Sequence, residues 1–357
     1  MAEEIASRSD MSAAMTATGM TQITDGSYMT SSSSSSSSSG SIDFYFQCAV
    51  VVMGVIGTAT NALILYALVA SKQHKKHVLI VNQNVLDVFG SFFLTICYSL
   101  MLCKVYLNGS TGYWLCTLLL SESPIWCGII GSTINLATIS VERYLKIVHR
   151  TWSKKHLRKW MIYSAAAFAW IGSVIYNLAV LFPTAKVIDG VCYAYMFWKD
   201  EMAAVANVIV NLVSFYVIII LIFIFCYWRI LAVIRHQASV MAGHSASGGA
   251  SYNRIQASII KTMVLVSVLY GIMWLPNCIC SSLLVFNPNL PLLYSVYYWS
   301  VFMVFLYICI NPFIYATKLD PVKEVLLRMI PFKKITEQGV GQASENVAPA
   351  RVGTTSV

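Results

Sequence analysis

A chain of 357 residues that is 57% hydrophobic and 11% charged lies far below the roughly 25% charge of an ordinary soluble domain. The deficit is concentrated in long uncharged runs, which excludes a water-soluble globular enzyme of average composition. The net charge of +9 resides in the segments between those runs, so nucleic acid is not an expected partner.

Residues 1–42 are polar and include a serine run at 31–39. They cannot bury a core and read as a disordered tail, a spacer or a carrier of O-linked sugars. They lack the basic-then-apolar order of a cleavable signal, so the first apolar run is expected to act as its own insertion signal. That run, Phe44–Ser71, carries no charge. A bilayer needs about 20 apolar residues as a helix, so it is predicted as α1. Val78–Cys103 (α2) and Tyr113–Val141 (α3) follow, each with one internal acid, Asp87 and Glu122. Trp160–Ala185 (α4) and Met202–Trp228 (α5) are again uncharged. So is Thr262–Thr317, which Asn287-Pro288-Asn289-Leu290-Pro291 divides into α6 and α7. The serine- and glycine-rich stretch from His236 to Arg254 is expected to be a flexible, phosphorylatable loop. Leu319–Ile330 alternates charged and apolar residues at helical spacing, predicting an amphipathic α8 on the membrane surface. A soluble helical stub is the alternative. Residues 331–357 read as a second disordered tail. The expected fold is an all-α membrane protein: a seven-transmembrane-helix bundle over 43–318, with a short amphipathic eighth helix at 319–330.

Lysine and arginine set the orientation. Lys72, Lys75 and Lys76 follow α1. Lys146, Arg150, Lys154, Lys155, Arg158 and Lys159 lie between α3 and α4. Arg229, Arg235, Arg254 and Lys261 lie between α5 and α6, and Lys318, Lys323, Arg328, Lys333 and Lys334 follow α7. The opposite loops hold only Lys104, Lys186 and Lys199. The positive-inside rule therefore places the N-terminus outside the cell and the C-terminus in the cytosol. On the outer side, Asn108-Gly109-Ser110 is a glycosylation sequon. Two cysteines also face this oxidising side, Cys116 and Cys192, the latter beside a hairpin-like Val187-Ile188-Asp189-Gly190-Val191. A Cys116–Cys192 bond would pin that hairpin over the bundle; Cys103 is the competing partner. All six histidines lie outside the apolar runs and no cysteine pair has zinc spacing.

Ionisable groups inside a membrane segment are costly and mark function by default. Asp87 needs a cation, a proton or several donors. Asn61, Ser132 and Asn311 are available to it. A hydrated sodium ion suits this oxygen-rich set; a purely structural hydrogen-bonded cluster is the alternative. Glu122, before Ser123-Pro124, can meet a cationic ligand group or stand inert at a pocket mouth. Arg143 beside Glu142 can snorkel to the interface or form a two-state element that moves with α6. In α6, Trp274 precedes the hinge-forming Pro276. In α7, Pro312 opens the helix between Asn311 and Tyr315.

These residues together resemble the rhodopsin-like (class A) G-protein-coupled receptor family over about residues 44 to 330. The resemblance rests on Asn61, Leu86-Asp87, Cys116, Glu142-Arg143-Tyr144, Trp170, Tyr227, Trp274-Leu275-Pro276 and Asn311-Pro312-Phe313-Ile314-Tyr315. It implies an extracellular ligand pocket, for which Glu122, Ile125, Trp126, Trp274, Tyr298 and Phe305 are candidates. It also implies a heterotrimeric G protein docking inside as α6 swings outward. Glu142, Arg143, Tyr144, Tyr227, Trp274, Pro276, Asn311, Pro312 and Tyr315 would carry activation. Arrestin and kinases are implied partners, sodium at Asp87, Ser132 and Asn311 an implied allosteric ion, and no catalytic cofactor is expected.

Departures from the family pattern are informative. Ile219 stands where α5 usually has proline. Cys116 and Arg143 are two residues further apart than usual, a difference expected to be absorbed near Pro124. No acid begins α6 to pair with Arg143, and Val322 replaces the usual Phe of α8. Amine-binding members carry an Asp where this chain has Ile125 or, counted from Cys116, Ser123; light receptors carry a Lys where it has Phe305. Outer acids Asp43, Asp189, Asp200 and Glu201 suit a basic or amidated peptide. A small-molecule receptor is the alternative. A transporter would show repeated halves and a membrane hydrolase paired carboxylates or intramembrane histidine, and neither pattern is present. The last residues, with Thr355 and Val357, resemble a PDZ-domain ligand.

Overall fold

The computed structural model describes residues 36–241 except Lys76 and Met196, and then 250–286, 291–318 and 320–329. Within these, side chains are described for 43–236, 260–284, 296–314, 316 and 322–328, with the same two exceptions. The expected tails at 1–35 and 331–357, with the expected PDZ ligand residues Thr355 and Val357, lie outside the described residues, as does the side chain of Tyr315.

Seven helices are long and apolar enough to cross a membrane. They are α1 (Ser36–Ala70), α2 (Val78–Leu102), α3 (Gly109–Val148), α4 (Lys159–Thr184), α5 (Glu201–Asn211, continuing to Met241), α6 (Ala250–Phe286) and α7 (Pro291–Lys318). A two-turn helix, Arg150–His156, joins α3 to α4, and α8 spans Asp320–Met329. Consecutive helices α1, α2 and α3 pack side by side. α3 also packs on α4 and α5, α6 on α7, and α7 closes the bundle on α1. α3 is the most deeply buried of the seven and α5 the most exposed. The polarity is inverted relative to a soluble bundle. Phe168, Ile175, Leu221, Ile224, Trp228 and Ile272 point outward, while Asn61, Gln83, Asn84, Asp87, Asn135 and Asn311 are wholly buried. Lipid imposes that arrangement, because buried polar groups must find partners inside the bundle.

Three boundaries differ from the sequence expectation. α1 begins at Ser36, inside the serine run, rather than at 43. α5 extends to Met241 and α6 starts at Ala250, so both ends of the expected loop are helical, and 242–249 lie outside the described residues. For α5 and α6 the reason is the same. Once an apolar run has nucleated a helix, each further turn needs only an unobstructed chain, and no Gly or Pro occurs between Ile230 and Met241 or between Ala250 and Ile260.

Two irregularities position the site. α3 widens to a π-helix at Cys116–Leu120 and breaks at Ser121-Glu122, Glu122 lying in the left-handed region (φ 60°) before Pro124 restarts the helix. The extra residues between Cys116 and Arg143 are taken up there. α5 widens to a π-helix at Leu212–Val217 although it has Ile219 in place of proline. A π segment frees backbone groups. Here the freed Phe215 carbonyl accepts from the Tyr270 hydroxyl of α6, and Tyr216 donates back to the Gly271 carbonyl at 3.2 Å.

Between α4 and α5, β1 (Lys186–Ile188) and β2 (Val191–Tyr193) form the expected hairpin, with Val187 opposite Cys192. Asp189 and Gly190 both have positive φ (49° and 77°), the requirement of a tight turn of the primed type. Cys116 and Cys192 are bonded, with Cα atoms 5.2 Å apart, and Cys103 is free and exposed. The hairpin is thereby tied to the top of α3. α8 lies against α7 and α1 with Val322 buried in place of an aromatic ring.

Candidate functional site

Three groups of residues lie in line through the bundle: a cleft at the hairpin end, a polar centre, and a charged cluster at the opposite, basic end. The cleft opens between α3, α4, α5, α6 and the hairpin loop. Its empty space, open solvent at the mouth included, is about 840 Å3. Trp126, Tyr176, Asn177, Tyr195, Asn207, Asn211, Tyr216, Trp274, Asn277 and Ser281 line it, and no charged side chain does among the described residues. Several amide nitrogens are already used: Asn177 donates to the Ser173 carbonyl (3.0 Å), Asn211 to the Asn207 carbonyl (2.9 Å) and Asn277 to Ser300 Oγ (3.5 Å). Their oxygens remain to accept. Burial pushes the Tyr195 phenol above its ordinary range, helped by the nearby Glu122 charge, so it faces the cleft un-ionised.

Of the expected pocket residues, only Trp126 and Trp274 line this cleft. Glu122 is walled in. It accepts from Tyr98 OH at 2.7 Å and from Trp126 Nε1 at 3.1 Å and is 1% exposed. Ile125 and Phe305 are fully buried between helices, and the Tyr298 ring packs on Phe46 of α1. The π-turn and break in α3 rotate Glu122 towards α2, which spacing alone did not reveal. Of the outer acids, Asp200 caps α5 by accepting from Ala203 N at 2.7 Å and Asp189 forms the hairpin turn.

Trp274 forms the cleft floor. Its indole nitrogen is buried with no partner among the described residues. Its ring packs on Tyr270, and Tyr270 on Phe223 and Tyr307. This aromatic column runs from the cleft toward α7, where Asn311 and Pro312 sit. Pro276 lies within α6 just beyond Trp274.

In the polar centre, Ser132 Oγ donates to Asp87 Oδ1 at 2.7 Å and Asn311 Nδ2 to Oδ2 at 2.9 Å. Gln83 Nε2 reaches both Ser132 Oγ and, at 3.5 Å, Asp87 Oδ1. Asn61 instead bonds the Gly57 and Ile308 carbonyls. The sequence reading named Asp87, Ser132 and Asn311, and the fold brings them together. It missed Gln83, although a Gln one turn before a buried Asp was a visible signal.

At the basic end, Arg143 is 4% exposed. Its Nη2 lies 3.2 Å from His77 Nδ1 and 3.7 Å from Glu142 Oε2, while Lys146 binds the other oxygen of Glu142. Tyr144 meets His149. Tyr227 of α5 bridges Ser140 of α3 (2.8 Å) and Ser267 of α6 (3.1 Å). One hydroxyl thus joins the three helices at this end.

This ordered set, on seven helices, coincides with a family model described as "7 transmembrane receptor (rhodopsin family)", which matches residues 60–315. The chain belongs to this family. The family is one of receptors and not of enzymes, and the chain is a multi-pass membrane protein. It is similar to the adenosine receptor A3 of Ovis aries, at 24% identity over 56% of this chain; the match covers 63% of that receptor's length. It is also similar to the somatostatin receptor type 5 of Rattus norvegicus, at 23% identity over 78% of this chain and 76% of the relative. Squid rhodopsin shares the fold, with a TM-score of 0.67 at 17% identity over 87% of this chain and 93% of that one.

Proposed function

We propose that this receptor binds an extracellular peptide through the cleft and activates a heterotrimeric G protein by outward movement of α6 about Pro276. The carrying observation is the position of Trp274. One face of α6 floors the cleft there, and the same helix is held by Ser267 to Tyr227. A ligand that shifts the Trp274 ring acts on a lever that the Ser267–Tyr227 hydroxyl pair ties to α5 two turns away. The orientation we propose puts the hairpin end and N-terminus outside and the lysine-rich loops and C-terminus in the cytosol. Arrestin, kinases and a PDZ-domain protein are proposed as cytosolic partners.

The lining supports a peptide whose inserted end is uncharged. Carbonyl oxygens of Asn177, Asn211 and Asn277 ask for N–H donors, and among the described residues no charged side chain lines the cleft to neutralise a buried ammonium. An amidated terminus supplies such donors. A small neutral molecule rich in N–H groups is the second reading, favoured by the same lining. The relatives are named for two different ligands, adenosine and somatostatin, and so do not choose between them.

The test is a paired library of amidated and free-acid peptides on cells expressing the full chain, read by calcium and cAMP. Responses to amidated members, lost in Asn277→Leu, support the proposal. Responses confined to small molecules would replace the peptide reading by the second, and agonist signalling that survives Arg143→Ala would remove the coupling mechanism.

A further inference from the structure

Asp87 lies where the family resemblance suggests a sodium ion, yet the groups around it are arranged as donors. Ser132 spends its only proton on Asp87 Oδ1 and receives one from Gln83 Nε2. The same Gln83 nitrogen also faces Asp87 Oδ1. An amide can present either its oxygen or its nitrogen, and its neighbours decide which. Here the neighbours are directional. The Trp170 indole of α4 can only donate, and it donates to Asn82 Oδ1 at 3.0 Å. The Asn82 nitrogen then donates to Asn135 Oδ1 at 2.9 Å. The Asn135 nitrogen donates to Gln83 Oε1 at 2.8 Å and to the Leu79 carbonyl, which can only accept, at 2.9 Å. With its oxygen held in this way, Gln83 must turn its N–H2 toward Ser132 and Asp87. Reversing the amide would break the chain at a wholly buried site, where unpaired polar groups are costly.

We infer that the Gln83 amide occupies the place of a cation at Asp87, its polarity imposed from Trp170 and Leu79 through Asn82 and Asn135, so that this receptor does not use sodium as an allosteric ion. A sodium ion needs oxygen atoms around it, and Gln83 presents hydrogens to Ser132 Oγ and Asp87 Oδ1. Removing the amide would free both. The Asn311 oxygen, buried without a partner among the described residues on a side chain whose nitrogen already meets Asp87 Oδ2, would then be a further oxygen beside the carboxylate. The sodium-competent site is thus present in latent form, closed by one side chain.

The inference needs no agonist and stands apart from the ligand reading. It is tested by thermal unfolding of the purified full-length receptor in equal concentrations of sodium chloride and choline chloride, so that ionic screening is matched. An ion bound only by the native state raises Tm by mass action. The wild type is expected to unfold at the same temperature in both salts. Gln83→Leu is expected to unfold about 2 °C or more higher in sodium than in choline, and the double change Gln83→Leu with Asp87→Asn to lose that difference. Gln83→Met, closer in shape, serves if the leucine variant does not fold. A sodium-specific rise in the wild type that Asp87→Asn abolishes would overturn the inference. So would folded Gln83 variants that gain no sodium response.

Discussion

Arg143 Nη2 lies 3.2 Å from Nδ1 of His77, the residue that precedes the first turn of α2. The arginine is therefore held by the neighbouring α2 and by its own Glu142, and no acid begins α6 to hold it from the other side. A hydrogen bond to a charged group contributes about 1.5–3 kcal/mol before losses elsewhere are counted. We expect His77→Ala to raise agonist-independent nucleotide exchange about fivefold, the effect of losing about 1 kcal/mol from the resting conformer. His77→Gln, which keeps an acceptor, should return exchange toward wild type. Measurement on reconstituted receptor and G protein decides it: unchanged basal exchange in His77→Ala would show that the contact does not restrain Arg143.

The Ser140–Tyr227–Ser267 bridge makes a separate prediction. Polar pairs within membrane bundles couple by about 0.6 kcal/mol. Tyr227→Phe loses both partners, so adding Ser140→Ala to it should cost less than Ser140→Ala does alone. A double-mutant cycle on unfolding measures this; strict additivity would mean the two hydroxyls do not interact.

Gly128 predicts a steric limit. A Cβ there would lie 2.9 Å from Gly90 Cα, 3.0 Å from its nitrogen and 3.3 Å from the Leu86 carbonyl. These are backbone atoms and cannot rotate away. Gly128→Ala must push α2 from α3, at a cost of about 1–3 kcal/mol. A lower Tm and reduced surface expression are expected, with Gly172→Ala, which meets only the Phe168 ring, as the tolerant control. Equal stability of the two variants would contradict the packing.

The hairpin-end loops predict how the chain lies in the membrane. Asn108 is exposed immediately before α3. In cells, Asn108→Gln should remove the mobility shift caused by a peptide N-glycosidase, placing this loop outside. Non-reduced peptide mapping should join Cys116 to Cys192 and leave Cys103 alkylated. A disulfide-linked peptide containing Cys103 would displace the observed pairing.

Much of this was legible in one dimension. Uncharged runs give spans because lipid tolerates neither charge nor open backbone, and this requirement is local to each run. Asp-Gly between short apolar stretches gave the hairpin, because positive φ at two successive residues is itself a local property. Arg143, Tyr227, Trp274 and Asn311 were recognisable by type and order. The boundaries failed where helices simply continued, as at Met241, since nothing local stopped them.

Which of these residues meet was not legible, because that depends on how far each helix is rotated and shifted against its neighbours. The sequence by itself determined seven apolar helices, their order and the residues that carry chemistry. Only the tertiary structure decided that Glu122 turns away from the cleft, that His77 rather than an α6 acid holds Arg143, and that Gln83 points nitrogen first at Asp87. The reason is that each outcome is set by contacts between helices far apart in the chain. The break before Pro124 turns α3, Gly128 against Gly90 sets its distance from α2, and the one-way donor Trp170 of α4 fixes the sense of every amide between it and the buried carboxylate.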